Sequence, residues 1–320
     1  MSPQAEGANA QIIYDEESTY KTDPGTPDCK VLPFVTSGLK LDRNLFSSKA
    51  ITNSRNPKKP GRGKYNIGGP IALEINPYIG TILKHLLGSN ADTGADPYMH
   101  TMKVGVLPVG LVMEVGFTDI SQYFKYNGCR INKFDLSVNS EGIIEGSIEV
   151  MGAKETVGSS SLDATPVDLG HKPFDAFEAS LEEGGSAIAT VSEVKLSFEQ
   201  NLDGSVYVIG GGGERVSLPA GTVKISGSLK AMFEDLTLYN KAINHTETSL
   251  KTMFSRGDGL GSAGNESLEF LIPEMVYKPK SPEVAGPQGV YVDLEFEGYY
   301  DNSTEATTLQ AILKNTQATV

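Results

Sequence analysis

The sequence predicts a mainly β protein built from two similar halves, each a sandwich or open barrel with a flanking helix and long loops. Three observations lead there. Most ordered segments alternate apolar and polar residues with period two, the pattern of strands with one buried and one wet face. Gly 35 and Pro 17 exceed the share usual in a helical bundle. Segments near residues 36–78 reappear in order near 191–236, a repeat at domain length.

The clearest helix is short. Asn76 suits an N-cap, Pro77 the first helical position and Gly88 the C-terminal cap. Between them Tyr78, Ile79, Ile82, Leu83, Leu86 and Leu87 form one apolar stripe, which puts Thr81, Lys84 and His85 outside or at its margin. In the next clear segment Phe134, Leu136 and Val138 alternate with Lys133, Asp135, Ser137 and Asn139. A turn at 139–142 follows, and Ile144, Ile148 and Val150 return opposite Glu145, Ser147 and Glu149. This predicts a hairpin with one dry face. Val194, Leu196 and Phe198 alternate in the same way with Glu193, Lys195, Ser197 and Glu199, and the run 290–300 alternates once more.

The repeat pairs TSGLKLDRN at 36–44 with VSEVKLSFE at 191–199, matching Ser37 to Ser192, Lys40 to Lys195 and Leu41 to Leu196. It also pairs NIGGPIALEINPY at 66–78 with KISGSLKAMFEDL at 224–236, matching Ile67 to Ile225 and Gly69 to Gly227. A helical segment follows each, 77–87 and about 236–254. Ser, Gly, Asp and Pro cluster at 157–173. The expected organisation is therefore a first domain at 1–155, with an N-terminal extension and a basic loop, a linker at 156–180 and a second domain at 181–320.

The formal charge is −13, which argues against a phosphate-binding surface over the whole chain. The charge is uneven. Between residues 40 and 64, Lys40, Arg43, Lys49, Arg55, Lys58, Lys59, Arg62 and Lys64 face the single anion Asp42. Pro and Gly mark this stretch as an extended loop. Three readings stay open: a solvated loop, an arm that docks on the acidic surface of another copy, or a nucleic-acid contact. The last lacks any aromatic within the run 47–64 to stack on bases. No run approaches 18 consecutive apolar residues, so no membrane span is expected, and the N-terminus lacks the pattern of a secretory signal.

Nothing in the sequence points to catalysis, a metal or a cofactor. Gly259-Leu260-Gly261-Ser262-Ala263-Gly264 matches a dinucleotide fingerprint by letter but precedes a strand-like segment rather than a helix. The run Gly210–Gly213 lacks the Gly-Lys-Ser/Thr of a phosphate loop. His85, His100, His171 and His245 lie far apart in the sequence, and Cys29 with Cys129 makes neither a disulfide framework nor a zinc quartet.

The segments GLKLDRN, ITNSRNP and NIGGPIALEINPYIGTILKHLLG, followed by GCRINKFDLSVNSEGIIEGSIEVMG, resemble the tail tube (major tail) proteins of long-tailed, non-contractile bacteriophages. The resemblance covers 30–155 most fully. It implies a β-sandwich with a flanking helix and a long loop, and subunits that assemble into rings whose inner strands join into one barrel. Those rings stack into a tube through which genome DNA passes without specific binding. The implied neighbours are the tape measure protein, the tail terminator and the distal tail or baseplate proteins. The implied location is the virion tail, after synthesis in the host bacterial cytoplasm. An acidic strand face suits such a lumen, because like charge prevents grip on phosphates. Asp135, Glu145, Glu149, Glu193 and Glu199, against Lys133 and Lys195, are the lumen candidates. Arg43, Lys49, Arg55, Lys58, Lys59, Arg62 and Lys64 are the inter-subunit candidates. Two similar domains per chain suggest a trimeric ring with pseudo-sixfold symmetry, with a hexamer as the alternative. Other classes remain: a tube subunit of a contractile tail or secretion apparatus, or a soluble β-sandwich binding module. The absence of Trp counts against a sugar platform.

Overall fold

A computed structural model describes residues 4–284 and 286–320. Strands make up 46% of it and helices 7%, so the mainly β expectation holds. The first run of elements is β1 (Ala10–Glu16), β2 (Lys30–Val31), β3 (Thr36–Ser37), β4 (Lys40–Phe46), β5 (Gly61–Glu74), α1 (Gly80–Leu87), β6 (Gly88–Gly94), β7 (Tyr98–Val104), β8 (Leu111–Phe117), β9 (Gln122–Asn139), β10 (Glu145–Gly152) and β11 (Lys154–Gly158). The second run is β12 (Ala179–Glu183), β13 (Ser186–Ala187), β14 (Val191–Glu199), β15 (Lys224–Met232), α2 (Thr237–Ile243), β16 (Thr248–Ser255), β17 (Ser267–Tyr277), β18 (Tyr291–Tyr299) and β19 (Gln310–Asn315). Short 3-10 turns, Gly7–Asn9 and Ala176–Glu178, lead into β1 and β12.

Eight strands pair antiparallel in the order β4-β5-β10-β9-β14-β15-β18-β17. The strands β9 and β17 each change partners along their length. Residues 122–129 of β9 lie against β8, and its later residues pair with β10 and β14. This bend links the eight-strand ladder to two outer ladders, β2-β1-β8-β9-β11 and β13-β12-β16-β17-β19. Together they form one large antiparallel sheet that stays open rather than closing into a barrel.

The core lies under the apolar face of the eight-strand ladder. Phe134, Leu136, Ile148, Val150, Leu196, Phe198, Ile225, Leu229, Leu294 and Phe296 are buried, as their period-two spacing requires. Each large side chain contributes about 1.5–3 kcal/mol by leaving water. Phe134 meets Phe270 of β17 at 5.7 Å between ring centroids, joining the ladder to the outer strands.

The outer ladders and the ladder halves repeat in detail. The slip that sets Leu111 opposite Cys129 but Met113 opposite Tyr126 recurs, with Thr248 opposite Met275 but Leu250 opposite Ile272. A Cβ added at Gly69 would strike the Gly38 carbonyl oxygen, and one at Gly227 would strike the Lys195 carbonyl oxygen. In space, therefore, Gly38 corresponds to Lys195, two residues from the expected match of Lys40 with Lys195. A two-residue shift leaves every side chain on its face, so alternation alone does not detect it. One piece is unmatched. The β6–β7 hairpin follows α1 only and pairs with β19, tying the start of the chain to its end.

The helices depart from expectation. The first begins at Gly80 rather than Pro77; Asn76 instead caps a turn, its Oδ1 accepting from the Tyr78 amide at 2.9 Å. Thr81 and His85 are buried rather than marginal, because α1 is covered nearly all round. His85 Nε2 lies 2.7 Å from Glu16 Oε1, and Lys84 Nζ donates to Glu16 Oε2 at 2.9 Å and to the Val320 carbonyl at 2.8 Å. Burial pushes the Glu16 carboxyl up, but hydrogen bonds from His85 and Lys84 outweigh it and hold the group at about 2. The second helix stops at Ile243; a turn follows, and strand β16 from Thr248 takes the rest of the expected 236–254 helix.

Candidate assembly surfaces

The opposite face of the eight-strand ladder is polar, and strand register arranges it in rows. One row crosses Glu74, Glu145, Ser137, Lys195, Ser228 and Glu295. The next crosses Ala72, Ser147, Asp135, Ser197, Ser226 and Glu297. A third crosses Pro70, Glu149, Lys133, Glu199 and Lys224. Glu193 lies in a further row, between Asn139 and Lys230. All seven lumen candidates thus stand on one face, although they come from three strands and both halves of the sequence. The face is concave: the first two rows line a trough of about 820 Å³. Five serines with Ala72 form much of its floor.

Three of the five lysines on this face, Lys133, Lys195 and Lys278, are ion-paired. Lys133 Nζ lies 2.8 Å from Asp135, Lys195 Nζ 2.7 Å from Glu193, and Lys278 Nζ 2.9 Å from Glu297. These carboxylate bonds hold all three ammonium groups above their ordinary range, and Lys278 holds Glu297 below its own. Glu145, Glu149, Glu199 and Asp293 carry no ion pair among the described residues, and neither do Lys224 and Lys230. The Lys230 ammonium instead sits 5.3 Å from the Tyr291 ring centre. The balance left over is acidic. Sequence reasoning missed Asp293, Glu295 and Glu297 on this face, although they alternate with Val292, Leu294 and Phe296 in the last clear alternating run.

The basic stretch is a hairpin rather than one loop. Arg43 belongs to β4, Arg62 and Lys64 belong to β5, and only Lys49, Arg55, Lys58 and Lys59 lie in the connection 47–60. Arg43 donates to the Gly63 carbonyl at 2.9 Å and packs 4.3 Å from the Tyr65 ring centre. The Lys64 ammonium lies 4.2 Å from the Tyr207 ring centre. None of these seven cations is ion-paired among the described residues, and Leu45, Phe46 and Ile51 beside them are exposed.

The corresponding connection between β14 and β15, residues 200–223, behaves differently. It folds back over the middle of β5 and the end of β10. Arg215, buried, donates to the Ile67 and Gly152 carbonyls at 2.7 Å each and also to Asn66 Oδ1. Tyr207 Oη donates to the Tyr65 carbonyl at 2.7 Å. The glycine run 210–213 is a turn within this connection, and the run 259–264 is a turn between β16 and β17.

His100, buried, contacts Asp92 at 2.6 Å and Asn315 at 3.1 Å, and His171 contacts Glu74 at 2.6 Å. Both cysteines are buried and unpaired, and burial pushes the Cys29 thiol up to about 12. Among the described residues no three metal-ligating side chains gather, and no helix is long and apolar enough to cross a membrane.

The chain is thus an open antiparallel sheet with one concave polar face and an exposed basic hairpin. The family model for phage tail tube protein matches residues 7–298, and the chain belongs to that family. No curated protein matches the chain significantly. Membership makes this a structural protein of the virion tail that self-assembles into a tube, in a family not known for enzymes.

Proposed function

We propose that copies of this chain form stacked rings around a channel for genome DNA in a non-contractile tail, with the polar face of the eight-strand ladder lining the channel. The observation that carries this reading is the trough: concave, floored by short side chains, and acidic on balance, with three of its lysines ion-paired. DNA carries one charge about every 1.7 Å of axis, so free lysines would hold it and excess carboxylates let it slide. On this reading Asp135, Glu145, Glu149, Glu193, Glu199, Lys133 and Lys195 face the lumen, joined by Asp293, Glu295 and Glu297. The basic hairpin joins subunits.

The chain would hold two tube domains, 1–155 and 181–320, with 156–180 between them. Two such units support three chains per ring with pseudo-sixfold symmetry. The tape measure, tail terminator and distal tail proteins are then the expected neighbours. Cryo-EM of purified tubes is the test. Threefold rings with twice as many similar densities, and the named carboxylates toward the channel, are expected. Six whole chains per ring would remove the trimer, and a channel lined by another face would remove the lumen assignment.

A further inference from the structure

Within the eight-strand ladder one pairing, β9 with β14, joins the two halves of the chain, and that joint has an unfilled counterpart. Internally, the outer edge of β14 pairs with β9 over Glu193–Glu199. Beyond β9, the hairpin tip Val138–Ser140 forms one side of a cleft whose other side is Ala179–Leu181 and Ala187–Ala189, leaving about 300 Å³. The matching strand β4 pairs with β5 on one edge, and its other edge is open among the described residues. The matching cleft, between Ala10–Ile12 and Val31–Pro33, has no such hairpin tip and measures about 580 Å³.

The segment that would fill it also has a counterpart. After its bend, β9 continues into the residues that pair with β14. After the same bend, β17 continues into 278–284, which forms no ladder: beyond the amide of Lys278 bonding the Glu295 carbonyl, it is almost wholly exposed, with Val284 at 79%. Within one chain, β4 and this segment lie at opposite ends of the eight-strand order, about 30 Å apart at the usual strand spacing. Among the described residues no pairing joins the two within one chain.

We propose that the open edge of β4 and the cleft beside it receive residues 278–284 of a second copy, as β14 and its cleft receive the β9–β10 hairpin. This rests on the tube reading and adds the joint itself. Pairing would order the segment and cap an edge that is otherwise a template for uncontrolled strand addition. Pro279 and Pro282, which lack an amide donor, would limit how many bonds the segment makes there.

The test mixes ¹⁴N- and ¹⁵N-labelled full-length chains, lets them assemble, and treats the product with a short amine-reactive cross-linker. Lys40 is expected to link to Lys278 or Lys280 in mixed-isotope peptides from assembled material, with the signal absent from the monomer fraction. Tubes in which Lys40 links only elsewhere would overturn the joint and leave the tube reading intact. A second variant replaces 279–284 with Gly and Ser at equal length. Unchanged melting with loss of assembly supports the joint, whereas tubes at wild-type yield overturn it. A wild-type chain that never assembles overturns the tube reading and the joint together.

Discussion

The two halves share a strand order but spend their buried contacts in opposite places. In the first half the helix is sealed: Glu16, His85, Lys84 and the chain's last residue Val320 close around α1. In the second, α2 buries only Ala242. The connections reverse this. The second half's connection is anchored by buried Arg215, whereas the first half's carries Lys49, Arg55, Lys58 and Lys59 with no ion-paired partner among the described residues. The lesson is one of available neighbours. The 200–223 connection has the first half beside it in the same chain, and among the described residues the cations of the 47–60 connection have no such partner.

The comparison breaks most sharply at the matched glycines. Gly227→Val would drive a side chain into the Lys195 carbonyl and is expected to cost about 4 kcal/mol or leave the protein aggregated. Gly69→Val should cost at least as much, because its φ of 152° adds backbone strain to the same carbonyl clash. Denaturant unfolding reads both, and a Gly69→Val cost well below that of Gly227→Val would show that the two hairpins are not equivalent. Next comes Arg215→Met, which strands the Ile67 and Gly152 carbonyls and should cost about 3 kcal/mol. A loss below about 0.5 kcal/mol would mean that the anchored connection is no more tied down than the free one.

A smaller effect separates the helices. The Glu16 carboxyl is depressed in the folded state, so the stability it contributes is fully present above the ordinary carboxylate range. That stability is lost as pH falls from about 4.5 through about 2. Glu16→Gln should flatten this part of the acid-unfolding curve, and an unchanged curve would place the acid-sensitive contact elsewhere. Smallest in stability is the reversal of Lys58, Lys59 and Arg62 to Glu, expected to change unfolding by less than about 0.5 kcal/mol. Its effect should appear in sedimentation, as loss of tube. Wild-type yield should fall as salt screens the arm. Equal yields across the salt series would leave the arm a solvated loop.

Strands with a clean dry face were legible in the sequence. Phe134–Leu136–Val138 and Val194–Leu196–Phe198 lie where their alternation puts them, because a buried face must repeat every second residue. Strand β16 was not legible. Its buried face holds Thr248 and Thr252 beside Leu250 and Phe254, and two threonines hid the period. The ends of β4 and β5 were read as loop because Arg43, Arg62 and Lys64 give a strand no apolar signature. Which strand pairs with which is a nonlocal fact. Alternation assigned β9 and β14 a polar face each but gave no hint that they are neighbours, so the rows across the trough emerged only from register. For the same reason the carboxylates of β18 were overlooked as members of that face.

The β9–β14 pairing has a kinetic consequence. A contact between two segments of one polypeptide forms at an effective concentration set by the connection between them, about millimolar for a short flexible tether, however dilute the protein. Dilution therefore leaves that contact unchanged and acts only on contacts between separate molecules. Fusing two tube units into one chain would make half the contacts around a ring independent of how much protein a cell has made.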